Sequence, residues 1–185
     1  GTLAAFSASA VPPAEYDRLF DETMAHYELP GLALGIVEDG KVVYRRTAGT
    51  RRVGSGEDID TQTLFKIASN SKAMTAALLA RLVDAGKLAW DDPVTRFLPD
   101  FRMNDPWVTR NLQVRDLLIH NSGLGLGAGD LMLWPEPNGF SRADVLAGLA
   151  HLKPATSFRS AYAYDNLLYI VAGEVAAAAG GDSYE

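Results

Sequence analysis

One long helical stretch constrains this chain more than any other part of its sequence. The residues from about Ser69 to Ala85 predict a helix that ends at Gly86, a residue suited to the C-cap position. Met74, Leu78 and Leu82 recur at helical spacing and predict the buried stripe of this helix. The helix therefore begins at a serine and carries a lysine one turn later.

This serine and lysine form the first candidate catalytic pair. Ser69 and Lys72 are three positions apart, so a helix places their side chains on one face. A serine hydroxyl needs an adjacent base to become a nucleophile, and a desolvated lysine can be that base. Ser69 at a helix start can also offer its own N–H to a developing oxyanion. Ser71 is a poorer candidate, because its partner three residues later is Met74.

A helix and a hairpin are predicted before this stretch. Pro12 and Pro13 open a helix to about Tyr27. Two strands are predicted next, Leu32 to Val37 and Lys41 to Thr47, with the turn residues Asp39 and Gly40 between them. One face of this helix carries, at helical spacing, Tyr16, Leu19, Phe20, Met24 and Tyr27.

Turns and shorter helices are predicted after it. The predicted elements are an irregular Lys87–Phe101 stretch, a short helix at Val114–His120, a capped helix from Ser141 and Asp144 to His151, and a buried helix at Asn166–Ala179 closed by Gly180 and Gly181. Glycines 123, 125, 127 and 129 lack the spacing of a phosphate loop and follow a helix, so they predict a flexible loop near the site.

A second candidate constellation precedes the last helix. Tyr164 and Asn166 form a Y-x-N triplet far downstream of Ser69. A lysine ammonium favours the ionised form of a nearby tyrosine, so Tyr164 can take a proton from Ser69 and return it to a leaving group. Asn166 would bind Lys72 or a substrate amide. The alternative is a junction tyrosine followed by a helix-capping asparagine, and Tyr162 is the substitute if Tyr164 is misplaced.

Both motifs carry flanks that point to one superfamily. The segments F-K-I-A-S-N-S-K-A-M-T-A and F-R-S-A-Y-A-Y-D-N-L-L-Y, with V-R-D-L-L-I-H-N-S-G-L between them, resemble the serine β-lactamase and penicillin-binding-protein superfamily, especially its class C β-lactamase and esterase branch. The resemblance implies an α/β (α+β) fold with a helical region and an antiparallel sheet. It also implies Ser69, Lys72 and Tyr164 as catalytic residues and Asn166 as a substrate-binding residue.

The third motif of that superfamily, K-T-G or H-x-G on a distant strand, does not occur before Glu185. We therefore expect residues 13–185 to be the N-terminal portion of the domain, with the C-terminal strands absent and a missing C-terminal segment as a possible partner. Residues 1–12 are expected to be an exported or disordered extension. The hairpin would keep an open edge in this arrangement.

Composition limits the other classes of function. The 185 residues carry a net charge of −6, which argues against a nucleic-acid surface, and no apolar run is long enough to span a membrane. There is no cysteine and no metal-ligand spacing, so neither a metal nor another cofactor is expected. His26, His120 and His151 are interpreted as helix-face or packing residues. Leu3 to Pro13 is similar to the tail of a secretory signal, which predicts a periplasmic or secreted protein.

Two functions from different classes follow. The first is a serine hydrolase that forms an acyl-enzyme on Ser69 with β-lactam, D-Ala-D-Ala peptide or ester substrates, among which the resemblance favours β-lactams. Its partner is a small-molecule or peptidoglycan-like substrate. The second is a non-catalytic fragment or interaction module of the same fold.

Overall fold

A computed structural model describes residues 12–184. The predicted extension at residues 1–12 and the signal-like stretch Leu3–Pro13 lie outside these residues, apart from Pro12 and Pro13. The chain divides into two compact units, Gly1–Lys66 and Ile67–Glu185. The helices and strands are α1 (Pro13–His26), β1 (Gly31–Glu38), β2 (Lys41–Gly49), α2 (Ser71–Asp84), α3 (Pro106–Asn111), α4 (Arg142–Gly148) and α5 (Leu167–Gly180).

The first unit contains α1 and an antiparallel hairpin of β1 and β2. Gly31 pairs with Gly49 and Glu38 pairs with Lys41, with an irregularity between Ile36 and Val37. The turn residues Asp39 and Gly40 both have positive φ, 49° and 75°. A two-residue turn with two positive φ angles matches the right-handed twist of the strands, so the predicted hairpin is confirmed.

The face of α1 that carries the regularly spaced apolar residues is only partly buried. Phe20 is 1% exposed, and the Arg46 guanidinium lies 4.5 Å from the centre of its ring. Leu19 is 45% exposed, and Tyr27, which follows the last residue of α1, is 67% exposed. Within this unit, α1 contacts β1 of the two-stranded hairpin.

The second unit is helical, and α2 packs against α5. Helix α5 is apolar nearly all round, because it lies within the core. It ends at Gly180, and the next residue, Gly181, has φ 82°, a conformation that favours glycine. The buried core comprises Leu79, Leu82, Leu88, Val94, Phe101, Met103, Leu112, Val114, Leu117, Leu124, Val145, Leu149, Leu167, Leu168, Val171, Ala172, Val175 and Ala176.

Helix α2 differs from its prediction in two respects. Its first regular residue is Ser71, and Ser69 lies in a 3₁₀ turn, Ala68–Asn70, that leads into it. The buried stripe contains Thr75, Leu79 and Leu82, whereas Met74 is 64% exposed. Burial of Thr75 is tolerated because its hydroxyl donates to the carbonyl of Ser71.

The C-terminal end of α2 is as predicted. The N–H of Gly86 bonds the Val83 carbonyl and the N–H of Lys87 bonds the Leu82 carbonyl, which is the Schellman arrangement. Gly86 adopts φ 68°, a conformation that favours glycine.

The capping box predicted at Ser141 and Asp144 is confirmed, and α4 continues as a 3₁₀ turn to His151. The predicted helix after Val114 is a 3₁₀ turn, Val114–Leu117. Helix α3 was not predicted; Asp105 caps it by accepting the N–H of Trp107. Within residues 12–184, no helix combines the length and apolarity required to cross a bilayer.

Candidate active site

The N-terminal ends of α2 and α5 carry the candidate residues. Ser69 lies in the turn before α2, directly after Ala68, whose φ of 45° is unusual for a residue with a side chain. Lys72 lies in the first turn of α2, and Tyr164 and Asn166 lie just before α5. Packing of α2 against α5 therefore brings two distant segments together.

The hydroxyl of Ser69 is the centre of this arrangement. Lys72 Nζ donates to Ser69 Oγ at 3.1 Å, and the Tyr164 hydroxyl donates to the same oxygen at 2.7 Å. Ser69 is exposed, while Lys72 and Tyr164 are half-buried. Ser69, the candidate nucleophile, is therefore accessible from solvent, whereas the two side chains that donate to it are less exposed.

The amide of Asn166 connects Lys72 to a carboxylate. Lys72 Nζ donates to Asn166 Oδ1 at 2.7 Å. Asn166 Nδ2 donates to both carboxylate oxygens of Asp130, at 3.1 and 3.0 Å. Asp130 follows Gly129 in the glycine-rich loop and was not among the predicted site residues.

Lys72 also lies over two aromatic rings. Its Nζ is 4.7 Å from the centre of the Tyr164 ring and 5.2 Å from that of the Tyr169 ring. Lys72, foremost, and Ser69 lower the pKa of Tyr164, because the amine and the serine hydroxyl can each donate a hydrogen bond to the phenolate. Burial raises the pKa of Tyr169, whose hydroxyl donates to the Leu118 carbonyl. Tyr164 is therefore the tyrosine suited to proton transfer.

His120 supports Tyr164 from the side. Its ring centre lies 4.6 Å from that of Tyr164, and its Nδ1 accepts the backbone N–H of Asp165 at 3.1 Å. Burial, and then the charge of Lys72, lower the pKa of His120, so its neutral form is favoured. Within residues 12–184, no three acidic or histidine side chains are grouped as a metal site would require.

A cavity of about 270 Å³ opens beside Ser69 and Lys72. Most of its wall is apolar, from residues that include Leu133, Trp134 and Ile170. Asn166 also lines this cavity. A group attached to a carbonyl at Ser69 therefore has an apolar space to enter.

All four predicted site residues, Ser69, Lys72, Tyr164 and Asn166, lie in this cluster, and their roles in catalysis stay predictions. Tyr162, the substitute for Tyr164, is 71% exposed, and its ring packs against His120. Ser71 also lines the cavity, but Lys72 and Tyr164 both form hydrogen bonds with Ser69. The sequence offered one weak signal for Asp130, an acidic residue that ends a run of spaced glycines.

Residues 16–185 match the family described as Beta-lactamase. The chain belongs to the beta-lactamase family. It is 37% identical over 137 residues to Esterase EstB of Burkholderia gladioli, covering 69% of this chain and 34% of the esterase. It is 35% identical over 120 residues to Penicillin-binding protein 4 of Amycolatopsis lactamdurans, covering 65% of this chain and 30% of that protein.

Solved structures in this superfamily share the beta-lactamase-type fold of the chain. The octameric penicillin-binding protein homologue from Pyrococcus abyssi matches with a TM-score of 0.75 at 26% identity, covering 95% of this chain and 41% of that one. A class C beta-lactamase bound to cefoxitin matches with a TM-score of 0.72 at 27% identity, covering 91% of this chain and 45% of that one. The chain thus spans about a third of the curated relatives and less than half of these structures. The predicted fold class, a helical region with an antiparallel sheet, is confirmed.

Proposed function

We propose that Ser69 is the nucleophile of a serine hydrolase that forms an acyl-enzyme with a carboxylic ester. The observation that carries the proposal is the convergence of Lys72 Nζ and the Tyr164 hydroxyl on Ser69 Oγ, at 3.1 and 2.7 Å. A nucleophile within hydrogen-bond reach of a base, which is itself oriented by a third group, is the general signature of covalent catalysis.

The first half-reaction needs the phenolate form of Tyr164. Loss of the tyrosine proton reverses the hydrogen bond, so that Ser69 donates to Tyr164. Ser69 Oγ then attacks the ester carbonyl as its proton passes to Tyr164. The bond to the leaving alcohol breaks, and the alcohol takes that proton, which leaves an acyl-serine and regenerates the phenolate.

The second half-reaction repeats these transfers with water. Water gives one proton to Tyr164 and attacks the acyl-serine carbonyl. The Ser69 oxygen leaves, takes the proton back and releases a carboxylic acid. The backbone N–H groups at the start of α2 are suited to the negative charge on the carbonyl oxygen, and losing one such donor costs ~10²–10³-fold in rate.

The substrate class follows from the cavity beside the nucleophile. Its apolar wall of Leu133, Trp134 and Ile170 suits an alkyl or aryl acyl group, and the 37% identity to Esterase EstB supports an ester. A β-lactam is the second candidate, because Penicillin-binding protein 4 is 35% identical and class C beta-lactamases share the fold.

The test is covalent labelling of the intact protein. It is treated with p-nitrophenyl butyrate and, separately, with a labelled penicillin, and the labelled peptide is located by mass spectrometry. We expect turnover of the ester and a transient acyl group on Ser69. Stable penicillin label on Ser69 would indicate a penicillin-binding protein, and rapid β-lactam turnover a beta-lactamase.

Two variants control this experiment. Ser69→Ala should abolish both labels, because the nucleophile is lost, whereas Ser71→Ala should retain them. Label that persists in Ser69→Ala would show that the nucleophile is assigned wrongly. No label and no turnover with either substrate would favour the non-catalytic module.

A further inference from the structure

The orientation of the Asn166 amide is determined by its two neighbours. Its Oδ1 faces Lys72 Nζ at 2.7 Å, and its Nδ2 faces the two Asp130 oxygens at 3.1 and 3.0 Å. An ammonium group has no lone pair to accept a hydrogen bond, and a carboxylate has no hydrogen to donate. In the opposite orientation, the NH₂ group of the amide would face the Lys72 ammonium and its oxygen would face the Asp130 carboxylate.

The backbone turn at Gly129 places the Asp130 carboxylate beside the Asn166 amide. Gly129 has φ 79°, and a Cβ there would lie 2.3 Å from Leu167 Cδ1, so the turn requires glycine and sits directly on the start of α5. The N–H of Asp130 donates to the Gly127 carbonyl at 3.1 Å, and the Asp130 carbonyl accepts the N–H of Leu133 at 2.8 Å. Asp130 is half-buried. The carboxylate is thus held by a tight, packed turn.

The hydrogen bonds of this carboxylate go to the amide that holds Lys72. Among residues 12–184, both carboxylate oxygens accept from Asn166 Nδ2. Hydrogen bonds to a charged acceptor are roughly twice as strong as those between neutral groups. If the carboxylate were lost, the amide could rotate, and Lys72 would lose the acceptor that fixes its amine beside Ser69.

We propose that Asp130 is a positioning residue: its carboxylate fixes the Asn166 amide with the oxygen toward Lys72 and thereby keeps the lysine amine within reach of Ser69. The proposal rests on the proposed function for its effect on rate. Its structural part, the orientation of one amide, does not depend on that function.

The test compares two substitutions of Asp130 in the intact protein. Asp130→Leu has a similar shape and no acceptor, and should slow acylation of Ser69 by ~10–10²-fold per folded molecule. Asp130→Asn retains an oxygen that accepts from Asn166 Nδ2, and should keep the rate within about threefold. Asp91→Asn, which removes an exposed carboxylate elsewhere, is the matched control. Urea unfolding gives the folded fraction of each variant.

A double-mutant cycle separates positioning from a general structural role. In an Asn166→Ala background, Asp130→Leu should change the acylation rate by less than about twofold, because Asp130 acts through Asn166. An equally large loss in that background would overturn the proposal. So would wild-type rates per folded molecule in Asp130→Leu, or equal losses in the leucine and asparagine variants.

A measurement that needs no substrate tests the positioning role of Asp130 even if the proposed function is wrong. NMR of the Asn166 side-chain amide should show slowly exchanging Nδ2 protons in the wild type and in Asp130→Asn, and fast exchange in Asp130→Leu. If the wild type does not acylate Ser69, the hydrolase proposal fails, and this measurement still decides the positioning. Equal exchange in all three proteins would overturn it.

Discussion

Asp165 is a buried carboxyl whose ionisation should weaken the fold. It lies between Tyr164 and Asn166 and is 1% exposed. Its Oδ1 accepts the N–H of Leu168, while its Oδ2 has no hydrogen-bond partner among the described residues. Burial, aided by the charge of Asp130, raises the pKa of Asp165 from 3.8 to about 6. Asp165→Asn removes the ionisable group and keeps an oxygen that can cap α5.

The sign and size of the effect follow from this raised pKa. Between pH 3.8 and about pH 6, the folded protein holds a proton at Asp165 that the unfolded chain has lost. The contribution is complete below the unfolded value and is lost as pH rises through the folded value. Since one pKa unit corresponds to 1.36 kcal/mol, ionising Asp165 in the fold costs about 3 kcal/mol. Asp165→Asn avoids that cost.

The assay is urea unfolding of wild type and Asp165→Asn in steps from about pH 3.5 to about pH 7.5. The difference between their free energies of unfolding should shift by about 3 kcal/mol in favour of the variant as pH rises. Asp144→Asn is the control, because hydrogen bonds from Ser141 lower the pKa of exposed Asp144. Its difference from wild type should stay constant above about pH 4 and change only in more acidic solution. A pH-independent difference for Asp165→Asn would refute the reasoning.

Two further substitutions probe the ion pair between Arg159 and the buried Asp116, and the phenol of Tyr164. Arg159→Met should cost about 2–3 kcal/mol of unfolding free energy, because the buried carboxylate of Asp116, whose side chain is 2% exposed, loses hydrogen bonds of 2.6 and 3.0 Å. The ion pairs of Arg18 are exposed to solvent, so Arg18→Met should cost much less, and equal costs in urea unfolding would contradict this contrast. Tyr164→Phe should slow acylation of Ser69 by ~10²–10⁴-fold and remove the rise in rate as Tyr164 deprotonates. A stopped-flow pH–rate profile like that of the wild type would exclude Tyr164 as the base.

Features set by local backbone chemistry were predictable from the sequence. Asp39 and Gly40 predicted the hairpin, Gly86 predicted the end of α2, and Ser141 with Asp144 predicted the start of α4. Each depends on a few neighbouring residues whose side chains or φ angles satisfy nearby backbone groups. None of these three features depends on a contact with a distant segment of the chain.

Features set by packing between distant segments were not predictable in the same way. Hydropathy favours Met74 over Thr75 as a buried residue, but Thr75 is buried in α2 and Met74 is 64% exposed. Asp130 reaches Asn166 across 36 positions, and no periodicity links the two. Tyr164 and Ser69, 95 positions apart, were joined by resemblance to a family rather than by spacing.

Because α2 packs against α5, the site keeps its geometry only while the native packing of these two helices is intact. Ser69 and Lys72 come from one helix end, and Tyr164 and Asn166 come from the other, so no single segment carries a working set. A swollen, compact state that keeps its helices but loosens its side chains would look nearly native by far-ultraviolet circular dichroism. In such a state the four groups would separate, and the proposed hydrolysis would cease while the helical signal persisted.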